Sequence, residues 1–64
     1  YRHMYKVTDI IKAESTTDSA ELFREIREWR DELEDYEFIG RVEFFKKDGD
    51  TEPLIAYLHI CQEL

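Results

Sequence analysis

The chain has 64 residues, 16 Asp and Glu against 9 Lys and Arg, and a formal charge of −7. At ~60 residues a domain buries only ~60% of its unfolded surface, so this length allows one domain with a marginal core. The single Cys excludes an internal disulfide, no Cys/His cluster has zinc spacing, and the acidic balance argues against direct binding to nucleic acid or an anionic membrane.

Tyr1-Arg2-His3 reads as a cloning remnant, with Met4 as the native start and 4–64 as a single α+β domain. No apolar run approaches the ~20 residues of a membrane helix, and no signal peptide is visible. Together with the lone Cys this predicts a cytoplasmic protein.

The first element is a strand over Met4–Ile11, "MYKVTDII", extending toward Ala13. Tyr5 and Val7 alternate with Lys6 and Thr8, as in a half-buried strand. "ESTTDS" breaks the pattern and forms a loop.

The second element is a helix. Asp18 is its N-cap, and Glu21 three residues on completes a capping box. Leu22, Ile26, Trp29, Leu33 and Tyr36 recur at helical spacing and form the core stripe, so the helix is expected to end near Asp35–Glu37. One residue ahead of each apolar position stands an acid: Glu21, Glu25, Glu28, Glu32 and Asp35. These five line one flank, and Arg24, Arg27 and Arg30 lie on the other. Successive acids are i,i+3 or i,i+4 like-charge pairs, each costing a few tenths (~0.2–0.5) of a kcal/mol. A helix selected for stability alone would interleave Lys.

The third element is "EFIGRVEFFKK", 37–47, rich in β-branched and aromatic residues, followed by a hairpin-type turn at Asp48-Gly49. The fourth is "LIAYLHICQEL", 54–64, apolar on both sides and therefore placed in the middle of the sheet. The order β-α-β-β gives a two-layer α+β unit: one helix on a three-stranded mixed sheet, with the first two strands parallel.

The helix covers one face only. Strict alternation assigns it Phe38, Val42 and Phe44, with Leu54, Ala56, Leu58 and Ile60, and Gly40 is expected to admit a close approach of Trp29. The other face then carries Ile39, Arg41, Glu43 and Phe45, with Ile55, Tyr57, His59 and Cys61. Half of these are apolar, more than a solvent face should be. Three uses fit: a homodimer through Ile39, Arg41, Phe45, Ile55, Tyr57 and His59; docking of another protein; or base stacking on Phe45 and Tyr57 with Arg41 on phosphate.

His59-x-Cys61 places two reactive types on one strand face, but residues two apart sit ~6.6 Å from Cα to Cα, long for a nucleophile–base contact. There is no phosphate loop, and "KKDGDTE" lacks EF-hand spacing. No enzyme activity, cofactor or metal is expected. The prediction is a small acidic interaction or regulatory protein, self-associating through the open sheet face. The alternative is an inhibitor of the kind phages and mobile elements carry. Its acidic stripe would mimic nucleic acid toward a basic nucleic-acid-binding protein, with neighbouring carboxylates ~5–6 Å apart.

Overall fold

The computed structural model describes residues 4–64, so the remnant assigned to residues 1–3 lies outside the described residues. The chain order is β1 (Tyr5–Glu14), α1 (Ser19–Glu32), β2 (Glu37–Phe45) and β3 (Ile55–Glu63). One helix packs on a three-stranded sheet of order β1-β3-β2. The α+β layout and the central place of the last strand are as expected. Both β1 and β2 pair antiparallel with β3. They therefore run parallel to each other without pairing, and the sheet is antiparallel throughout rather than mixed.

The core is Ala13, Leu22, Ala56, Leu58 and Ile60, with Ile11, Ile26, Trp29, Leu33, Ile39 and Val42 packed around it. β3 supplies most of it because only the middle strand has neighbours on both sides.

Two β-bulges decide which residues join that core. One lies between Val7 and Asp9, where Thr8 is the extra residue, and its hydroxyl donates to the Ile60 carbonyl at 3.3 Å. The other lies between Ile39 and Arg41, at Gly40. An extra residue moves everything beyond it to the opposite face. Ile11 and Ala13 therefore face α1 while Tyr5 and Val7 face away, although all four have the same parity. In β2, Ile39 packs on the helix side, and Phe38 pairs with Cys61 on the other. Alternation had assigned these two the reverse way.

α1 starts as expected: Asp18 Oδ1 accepts from the Glu21 amide at 2.8 Å. Only half of the capping box forms. The Glu21 carboxylate accepts from the Thr17 hydroxyl instead, and the Asp18 amide donates to Ser15 Oγ at 3.3 Å. The Ser19 amide donates to Glu52 Oε1 at 2.7 Å, and the Ser19 hydroxyl to the Pro53 carbonyl at 2.6 Å. These bonds tie the helix start to the segment before β3 and satisfy amides that a helix start otherwise leaves open.

α1 ends at Glu32, short of the expected Asp35–Glu37. Leu33 is the C-cap with an extended ψ of 149°, and its side chain still reaches the core. A turn follows, in which the Glu37 amide donates to the Glu34 carbonyl at 2.9 Å. Asp35 and Tyr36 sit in this turn, off both helical stripes, and Tyr36 is exposed. At the other end of β2, the Asp50 amide donates to the Lys47 carbonyl at 3.0 Å. Gly49 has φ +92° there, the left-handed conformation glycine adopts without steric cost.

Candidate interaction surfaces

The uncovered sheet face is framed by its edge strands. Tyr5, Val7 and Ile10 of β1 and Phe38 and Phe45 of β2 are exposed on it, between 36% and 58%. Two edge-to-face ring pairs cross it. Tyr5 and Phe38, on opposite edge strands, meet with centroids 5.6 Å apart, and Phe45 packs on Tyr57 at 5.2 Å. The first pair bridges over β3 and shields Cys61, which is 2% exposed. Ile55 is also buried, at 8%.

Of the six residues predicted to line a self-association face, Arg41, Phe45, Ile55, Tyr57 and His59 lie on this face, and Ile39 does not. The Gly40 bulge is the reason. Tyr5, Val7, Ile10 and Phe38 belong to the face and were missed. A Gly inside a strand pattern was the available signal for a bulge; Thr8 offered none.

Near the centre of the face, His59 Nε2 and Glu43 Oε1 are 2.5 Å apart, while Glu43 Oε2 is 3.9 Å from Arg41 Nη2. His59 thus turns its Nε2 to a carboxylate. The Cys61 thiol is directed at the His59 carbonyl, 3.7 Å away. Gly40 does not admit Trp29. A Cβ there would stand 2.6 Å from Cys61 Sγ, so the glycine makes room for the thiol on the open face. Among the described residues no group of three or more His, Cys, Asp and Glu side chains is placed to hold a metal ion.

The second surface is the acidic flank of α1. Glu21, Glu25, Glu28 and Glu32 line one shallow open groove with Trp29 and Arg24. Arg24 was expected on the opposite flank, and Asp35 has left the stripe for the turn. Phe23, about 200° round the helix from Glu21, packs on Phe44 of β2 at 5.6 Å between centroids. The acidic flank therefore lies over the β1 side of the sheet.

No helix among the described residues is long and apolar enough to cross a membrane. No family model matches the chain, and neither the curated proteins nor the solved structures contain a match to it.

Proposed function

We propose that this protein is a small acidic, non-enzymatic interaction protein that associates with a second copy of itself through the open face of its sheet. The observation that carries this is the exposed apolar set Tyr5, Val7, Ile10, Phe38 and Phe45 on one face of a two-layer fold. Strands of nine residues at ~3.3 Å each, three abreast at ~4.8 Å, span roughly 30 by 14 Å, a face on the order of 400 Å². A stable interface usually buries ~800 Å² per partner, so one face alone gives a weak, reversible contact. Completing the burial of five half-exposed side chains on each copy is worth on the order of 10 kcal/mol. Association costs ~4–15 kcal/mol. The balance reaches about −6 kcal/mol at its most favourable, which implies association at tens of micromolar or above.

The non-enzymatic reading is supported by the engagement of the reactive groups. His59 Nε2 meets Glu43, and the buried Cys61 thiol meets a carbonyl of its own strand.

Sedimentation analysis of the wild type and Ile10→Lys tests the face contact. Ile10 is 54% exposed, so Lys there leaves the fold intact. The substitution is expected to lower the association by one step. Equal masses for the two proteins up to several hundred micromolar would refute a face contact. Ile55→Lys is a poor probe, because Ile55 is buried within the monomer and a charge there unfolds it.

A second reading rests on the groove along α1. Its carboxylates suit a basic protein partner, and a nucleic-acid-binding protein is the class whose surface such a ridge would occupy.

A further inference from the structure

We propose that the outer edge of β2 is a homotypic pairing edge: two copies of this chain join β2 to β2 antiparallel, about a two-fold axis at Val42, into one six-stranded sheet. An edge strand presents unpaired backbone donors and acceptors, and proteins protect such edges with charge, bulges or cover. β1 is protected on several counts. It carries Lys6, Asp9, Lys12 and Glu14, and it lies below the acidic flank of α1. Pairing two β1 edges would bring two rows of Glu21, Glu25, Glu28 and Glu32 together. β2 is less protected: beyond its own bulge it keeps a regular stretch of edge with little cover. α1 packs mainly on β1 and β3, and the regular part of β2 beyond its bulge, Arg41–Phe45, carries one cation and one anion.

The order of those residues selects the register. In a two-fold antiparallel pair, residues equally distant from the axis face each other on the same side of the sheet. Centring on Arg41 sets Arg against Arg, and centring on Glu43 sets Glu against Glu. Centring on Phe44 brings Arg41 opposite Lys47. Centring on Phe45 brings Glu43 opposite Lys47, but Lys47 lies outside the strand, so that charge pair is not held by the ladder. Centring on Val42 places Arg41 opposite Glu43 of the second copy, twice, with Val42 on Val42. Beyond these three pairs, Phe44 of one copy reaches the Gly40 bulge of the other, where the regular ladder ends. Arg41 is free to make the cross-copy pair: its side chain is 70% exposed and 3.9 Å from its own Glu43. Glu43 engages His59 through Oε1, leaving Oε2 on the Arg41 side.

The pairing also enlarges the open face. Two faces of about 400 Å² become one of about 800 Å², the area per partner of a standard interface. The edge contact itself does not depend on the face contact.

The test uses the full chain carrying Ile10→Lys, which removes the face contact and isolates the edge. Sedimentation equilibrium should give a dimer. Adding Arg41→Glu should weaken it at least tenfold, and Arg41→Glu with Glu43→Arg should restore it. Val42→Cys should link two chains covalently on mild oxidation, since Cβ atoms directly opposite across strands lie ~4.5–5.5 Å apart. In a face-to-face dimer the Val42 side chains point outward, toward the two helices, and cannot meet. Amide hydrogen exchange should slow along the outer edge of β2 and not along β1. A monomeric Ile10→Lys protein whose wild type still associates would overturn the edge pairing and leave the face contact standing. A folded, unlinked Val42→Cys protein would also overturn it. Equal masses of wild type and Ile10→Lys, both dimeric, would remove the face contact and keep the edge.

Discussion

Gly40 is the residue on which the sheet turns. It is the extra residue of the β2 bulge, and its missing side chain is filled by Cys61 Sγ. Gly40→Ala is expected to cost ~1–3 kcal/mol, as overpacking does, because the methyl would stand 2.6 Å from a buried sulfur. Cys61→Ala introduced beside it should recover part of that loss, since residues in contact do not add independently. Urea denaturation of the two single variants and the double variant gives the coupling. A double variant less stable than the wild type by the sum of the two single costs would mean that the contact contributes nothing. His59 has a different part: with Glu43 it forms a polar pair among apolar neighbours on the open face.

At the scale of the element, α1 is held to the sheet by a narrow stripe of Leu22, Ile26, Trp29 and Leu33, and only Leu22 is buried outright. Its acidic flank can be changed without touching that stripe. Replacing Glu21, Glu25, Glu28 and Glu32 by Gln removes the like-charge pairs, each worth ~0.2–0.5 kcal/mol, and Gln is nearly as good a helix former. Part of the gain is lost at Glu21, whose carboxylate accepts from Thr17 and lies in the first turn. Thermal unfolding should therefore show equal or slightly greater stability. If the groove serves a basic partner, the same variant should bind a polycationic probe such as oligolysine more weakly and with less salt dependence, because exposed charges are screened over ~8 Å at physiological ionic strength. Equal binding and equal salt slopes would assign the flank to solvation alone.

At the scale of the molecule, the body is long and thin, 45 × 20 × 17 Å, with a helix on one side of the sheet only. A core of five buried residues gives a small domain modest stability. Any contact made only by the folded chain adds to it through mass action. The melting temperature of the wild type should therefore rise as its concentration is raised from about ten to several hundred micromolar. The variant combining Ile10→Lys with Arg41→Glu should melt at a constant temperature. Identical concentration dependence in differential scanning calorimetry would count against association through either surface.

Element order, the Asp18 cap, the Asp48-Gly49 turn and the central strand were legible in the sequence because each rests on local chemistry: a side chain that bonds the next turn's amide, a residue that tolerates positive φ, a segment apolar on both sides. The acidic flank was legible over Glu21–Glu32 for the same reason. Tertiary packing decided the rest. The periodic pattern runs through Tyr36, yet the chain leaves the helix at Leu33, which turns extended and still reaches the core. Face assignment in β2 was lost at Gly40, and the alternation read in β1 breaks at Thr8, because strand alternation holds only while the ladder has no extra residue. Where a bulge falls depends on the partner strand. That is why Ile39 and Phe38 exchange faces, and why Tyr5, Val7 and Ile10 complete a surface that only the assembled sheet defines.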